Sequence, residues 1–179
     1  MTTKSGTNLL AFSSQRNLSV ITAPGDVSFS VCGLRTKVLW DFSYNTQGDE
    51  RAQKILGLTG TGANSAHTSQ DDIAWLAGVQ VGQNKTAGDW SVMSSFRQTG
   101  IAAVDPNLND SDFANGYLNM QGVKTGIAYS LTDSAVFAVT YYDAWNLRPN
   151  LVGGQATGGN KIASMNAVQI LQVDLNLKF

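Results

Sequence analysis

The last eleven residues alternate. In Gln169-Ile-Leu-Gln-Val-Asp-Leu-Asn-Leu-Lys-Phe179, the residues Leu171, Val173, Leu175, Leu177 and Phe179 are apolar, and Gln172, Asp174, Asn176 and Lys178 between them are polar. A period of two sustained over nine residues sets one group on each face of a β-strand. The final residue is aromatic, at a place where a chain ordinarily frays into water. Taken alone, the stretch fits two kinds of sheet. One is a soluble sheet with one covered face. The other is a transmembrane barrel, which carries its apolar face on every second residue.

Composition narrows the classes. The 179 residues fit one domain with a sizeable core. Charged residues make up 14% and the net charge is −1, so no basic patch of the kind nucleic acid requires is expected. No apolar run reaches the length of a transmembrane helix. The mean hydropathy of −0.10 does not exclude a barrel, whose polar inward residues lower the average. Cys32 stands alone, which rules out an intrachain disulfide and a thiol metal cluster. His67 is also single and lies in a Gly/Ser/Asn-rich segment, where a solvated loop histidine is expected rather than a metal ligand. No Ser/His/Asp set can be built around it, and no carboxylate pair stands out. Neither an enzyme, a metal nor a cofactor is expected.

Along the chain, Ala23-Pro-Gly-Asp26 reads as a turn, and Val27, Phe29 and Val31 alternate after it. Val38, Trp40, Phe42 and Tyr44 form the next apolar face, opposite Lys37, Asp41, Ser43 and Asn45. The apolar set moves from odd to even positions across Gly33–Thr36, which requires a turn or a bulge there. Residues 47–71 are polar and read as a flexible surface loop. The Gly57–Gly62 run in it lacks the Lys-Ser/Thr ending of a phosphate loop. Ile73, Trp75, Ala77, Val79 and Val81 share a face, as do Trp90, Val92 and Phe96, with Arg97 opposite. A strand is expected over 117–131, with Val123, Ile127, Tyr129 and Leu131 on one side and Lys124 on the other. Residues 135–145 are rich in strand formers.

The connections alternate in length. Segments 46–71, 103–116 and 146–162 are long; 83–89 and 131–134 are short. Outer-membrane barrels alternate short periplasmic turns with long external loops in this way. Trp40, Tyr44, Trp75, Trp90, Tyr117, Tyr129, Tyr141 and Trp145 are candidates for aromatic girdles.

The ending resembles the C-terminal assembly signal of bacterial outer-membrane barrels, with Gln172, Leu177 and Phe179 at its positions and Asp174 where that signal often has Gly. Four pieces in order extend the likeness: Asp72-Ile-Ala-Trp-Leu-Ala-Gly-Val-Gln-Val-Gly82, Gly88-Asp-Trp90, Asp110-Ser-Asp-Phe113 with Gly116, and Gln172 to Phe179. Together they resemble the C-terminal part of a family of putative porins of Gram-negative bacteria, over roughly residues 36–179. The resemblance implies an all-β, antiparallel transmembrane β-barrel in the bacterial outer membrane, and passive diffusion of small polar solutes or ions. It implies the barrel-assembly machinery and outer-membrane lipid as partners, and a homo-oligomer such as a trimer.

Residues 1–179 are expected to form a single barrel domain of seven to nine strands, fewer than the family's large barrels contain. The N-terminal Met1-Thr-Thr-Lys-Ser-Gly6 is not followed by a secretory signal, which either marks a mature or truncated chain or counts against an exported barrel. The expected pore-lining residues are Lys37, Asp41, Gln80, Arg97, Lys124 and Asp174, with Lys178 beside them near the rim. Their basic excess predicts a slight preference for anions. Two other readings stay open: a non-conducting barrel that anchors or interacts through its loops, and a soluble lipocalin-like binding barrel, whose apolar face would point inward.

Overall fold

A computed structural model describes residues 18–58, 68–105, 109–149 and 167–177. They form one antiparallel sheet of eight strands, with little helix. The strands are β1 (Val20–Thr22), β2 (Gly25–Val31), β3 (Leu34–Asn45), β4 (Ile73–Gly82), β5 (Trp90–Thr99), β6 (Met120–Thr132), β7 (Ala135–Asn146) and β8 (Ala167–Leu177). From β3 to β8 each strand pairs with the next in sequence, and both β1 and β2 pair with β3. The sheet is not closed: β1–β2 and β8 are its edges, as in a portion of a barrel.

The turn expected over Ala23–Asp26 does not form: Gly25 and Asp26 already belong to β2, and β1 and β2 are one stave interrupted at Pro24. Val20 pairs with Asn45 and Gly25 with Trp40, so the register is the same before and after the interruption. Proline has no N–H to give to the ladder. Ala23 N–H still donates to Phe42 O at 2.7 Å and holds the stave in line.

The parity change near residue 33 is a turn, not a bulge. Val31 pairs with Leu34 across the two residues Cys32 (φ 50°) and Gly33 (φ 80°). Positive φ at both central residues is the hairpin geometry that matches strand twist. A second irregularity does lie in a ladder. Ser130 pairs with Val136 but Thr132 with Ala135, so Leu131 is extruded just before the Asp133–Ser134 turn. In the β4–β5 turn, the N–H groups of Thr86 and Lys85 both donate to Asp89, and they hold its carboxyl below the usual aspartate value.

Two further expectations are corrected. The segment 47–71 is not simply a loop: it contains helix α1 (Gly48–Leu58). Asp49 and Glu50 stand in its first turn, where the helix dipole favours acids, and Gln53 Nε2 donates to Asp49 Oδ1 at 3.0 Å, one turn apart. The helix is short and its apolar pattern is weak, so the segment reads as polar. The strand expected from Tyr117 begins instead at Met120. Tyr117 follows a short 3-10 turn (Ala114–Gly116) and belongs to an interior cluster rather than to a girdle.

The register assigns every strand residue to a face. One face carries Val27 and Phe29 of β2, then Val38, Trp40, Phe42 and Tyr44 of β3 opposite Val79, Ala77, Trp75 and Ile73 of β4. It continues through Phe96, Val92 and Trp90 to Ile127 and Tyr129, then Phe137, and ends on Leu171, Val173, Leu175 and Leu177. This face is apolar and uncovered: Ile127 is 55% exposed, Leu171 67% and Trp40 43%. Trp90, Tyr129 and Phe137 make a row at the end with the short turns. Toward the other end, Phe96 stacks 5.4 Å from Trp75 and meets Trp145 edge-on at 6.1 Å. No helix among the described residues is long and apolar enough to cross a membrane.

Candidate functional site

The opposite face of the sheet is polar, and its register rows decide which charges meet. Lys37, Asp41, Gln80, Arg97, Lys124 and Asp174 all stand on it. Lys37 is opposite Gln80, and its Nζ lies 3.4 Å from Asp26 Oδ2 on β2. Asp41, Leu76 and Arg97 are consecutive partners in one row across β3, β4 and β5. Lys124 is opposite Tyr142, with Nζ 5.0 Å from the ring centroid, a cation–π contact. Tyr142 O–H donates to Gln172 Oε1 at 3.3 Å, and Gln172 Nε2 donates to Asp174 Oδ1 at 3.2 Å. A polar chain therefore runs from Lys124 across β7 to β8.

Of the three residues expected in the assembly signal, Gln172 is on the polar face and bound into this chain. Leu177 is on the apolar face, 55% exposed, opposite Ala135. Phe179 lies outside the described residues, as do Lys178 and His67.

The connection from β5 to β6 returns over the polar face. Phe113 is buried with Ala114 against Met120, Tyr142 and Ala144, and Val168 and Ile170 pack beside them. This loop-to-wall contact is a buried apolar cluster among the described residues. Asp110, three residues before Phe113, reaches Arg97 with Oδ2 3.2 Å from Nη1, and the Arg97 guanidinium lies 5.6 Å over the Phe113 ring. Asp26, Asp110, Phe113 and Tyr142 thus join the site although none of them was among the expected lining residues. Arg35 also stands on the polar face, opposite Ser30. The sequence signal was present in the Asp110-Ser-Asp-Phe113 piece. Its loop composition gave no hint that the chain turns back onto the wall.

The long connections are tied to one another. Asn45 Nδ2 donates to Ala102 O at 2.7 Å, and its Oδ1 accepts from Ser19 N–H and Gln47 N–H. Arg51 of α1 is fully buried and donates through Nη2 to Val104 O at 3.3 Å. Burial pushes its guanidinium below the usual value, and the charge of Asp105 opposes that shift. Asp71, also fully buried, receives Arg148 Nη1 at 2.6 Å. Arg148 is clamped in turn by Asn119, whose Nδ2 donates to Arg148 O and whose Oδ1 accepts Arg148 N–H.

The arrangement inverts a soluble barrel. A lipocalin-like module covers its apolar face and wets the other. Here the apolar face is bare, and the β5–β6 connection packs onto part of the polar one. Monomeric soluble proteins rarely expose a contiguous apolar surface of this kind.

A family model described as "Putative porin" matches residues 12–179, beginning upstream of the stretch where the likeness was expected to start. No match was found among curated proteins or among solved structures. Membership brings with it, in general terms, a porin-like, outer-membrane role. With essentially the whole chain matched, and with its sheet bare on the apolar side and polar on the other, the chain belongs to the putative porin family.

Proposed function

We propose that this chain forms part of the wall of an outer-membrane pore through which small polar solutes and ions diffuse passively. The observation that carries the reading is the segregation of faces: every expected lining residue is on the polar face, and the exposed large apolar side chains crowd the other. Lipid on one side and water on the other satisfies both faces at once. The basic excess expected of the wall is offset by neighbours. Asp26 sits on Lys37, and Asp110 sits on Arg97. Charges in a wet pore are screened over roughly 8–10 Å at physiological salt. The pore therefore discriminates weakly between anions and cations, rather than preferring anions. Reconstitution of the native protein in planar bilayers should give discrete conductance steps with a reversal potential near zero in a salt gradient. A strongly selective current would contradict the charge reading. Full-length, inserted protein that passes no current would favour the second reading, a non-conducting anchoring barrel, which the loop packed against Tyr142 supports.

A polar seam interrupts the apolar face. Ser94 and Thr125 hydrogen bond at 3.1 Å in mid-strand, Tyr141 is opposite Thr125, and Gln169 Nε2 approaches Asp143 Oδ1 at 3.4 Å. Polar groups at this position are better covered by protein than by lipid. The seam is the proposed contact between copies in a homo-oligomer. Cysteine at Thr125 should cross-link two copies within the membrane, and cysteine at Val38 should not. Equal cross-linking at both sites would remove the assignment.

A further inference from the structure

Under the β5–β6 connection, at the end of the sheet with the long loops, lies a cavity of about 430 Å³. The row Asp41–Leu76–Arg97 forms part of its floor, Val20 borders it from β1, and Val104 and Asp105 reach it from the loop. Strand spacing separates the Asp41 and Arg97 backbones by about 10 Å, with the Leu76 side chain between them. The floor is thus acidic at one end, apolar in the middle and basic at the other.

The basic end is already engaged. Asp110 lies 3.2 Å from Arg97, and Asp41 is near enough to act on the same guanidinium. An incoming anion would have to displace Asp110. An incoming cation meets three carboxylates, Asp41, Asp105 and Asp110, set against the two guanidiniums they act on, Arg97 and Arg51, and Asp41 among them is exposed on the wall. The apolar share of the lining, Val20, Leu76 and Val104, is unsuited to a hard metal ion, which needs six or more oxygen ligands. It suits a hydrocarbon group carried by the cation.

We propose that this cavity is a subsite for small organic cations, the ammonium group facing Asp41 and Asp105 and the hydrocarbon part lying against Val20, Leu76 and Val104. The proposal rests on the pore reading for its biological role, as a station on the path of a permeating solute, but the binding itself does not depend on conduction. Ammonium contact with a part-exposed carboxylate and burial of a short alkyl chain are each modest, so binding is weak and reversible, as transit requires.

The test uses the native protein in detergent and n-butylammonium, butyrate and plain ammonium as probes, with saturation-transfer NMR reading the bound fraction. Butylammonium should bind saturably, and more tightly than ammonium; butyrate should not. Asp41→Asn, isosteric and at an exposed position, should weaken butylammonium by about two- to fivefold, the factor expected for loss of one exposed charge pair. Leu76→Gln should abolish the advantage of butylammonium over ammonium while leaving the ammonium contact. Absence of saturable butylammonium binding, equal binding of butyrate, or indifference to Asp41→Asn would overturn the proposal. Bilayer measurements on the same preparation separate the two readings. Conductance without butylammonium binding removes the subsite and keeps the pore; binding without conductance keeps the subsite and removes the pore.

Discussion

Ile127→Arg should cost about 2–4 kcal/mol of stability in the bilayer, whereas Ala128→Arg, one residue on, should cost little. The two positions are adjacent in β6 but stand on opposite faces. Ile127 pairs with Val92 and Val139 on the bare apolar side and is 55% exposed. Ala128 pairs with Ser91 and Ala138 on the polar side. Nothing in residue type distinguishes them, since both are small or medium apolar side chains. The contrast comes from the medium each faces. An arginine in lipid loses hydration and finds no partner, while one on a wet wall keeps its water. Urea titration of protein folded into vesicles would measure both. Equal costs, or a larger cost at Ala128, would mean that the apolar face is not the lipid face.

Arg148→Met should loosen the external loops by about 3 kcal/mol while leaving the barrel's own melting unchanged. Asp71 is fully buried. Its Oδ2 accepts from Arg148 Nη1 and from Thr68 N–H, and its Oδ1 is buried without a hydrogen-bond partner. Removing the guanidinium strands a carboxylate where water cannot reach it, which costs more than the pair itself contributes. The backbone clamp between Asn119 and residue 148 survives the substitution, so the effect isolates the charge. Ala102 N–H donates to Asp71 O at 2.8 Å, so loosening at Asp71 should spread to both the 68–72 and the 100–105 segments. Hydrogen exchange should quicken in those segments by two orders of magnitude or so, the factor that about 3 kcal/mol implies. Adding Asp71→Asn to Arg148→Met should recover part of the loss. Unchanged exchange in 68–72 would show that the pair is not what holds the loops.

Much of the sheet was legible because its signal is local. A strand with a different medium on each face must alternate, and the alternation at Val38 to Tyr44, Ile73 to Val81 and Leu171 to Leu177 marks both the strand and its faces. The six residues expected to line a pore could be placed on the polar face for the same reason: parity alone assigns a side. Short turns such as Asp133–Ser134 were visible from composition, as was the alternation of short and long connections. The Cys32–Gly33 turn was half legible. The parity change demanded an irregularity, but only the pairing of Val31 with Leu34 showed that the chain reverses there.

The sequence by itself determined most of the strands, the polarity of their two faces and the order of the connections, because each depends on neighbours one or two residues apart. Tertiary structure alone decided what the charges on the polar face do. Arg97 reads as a lone base in the pattern of β5, yet it is bound to Asp110 and shielded by Phe113, both brought back by a loop. Lys37 meets Asp26 only because a two-residue hairpin lays β2 beside β3. Asp71 and Arg148 are 77 residues apart. Strand periodicity fixes a side chain's direction, but a Coulomb contact needs two chain segments to meet at a few ångströms, and no local pattern records that meeting.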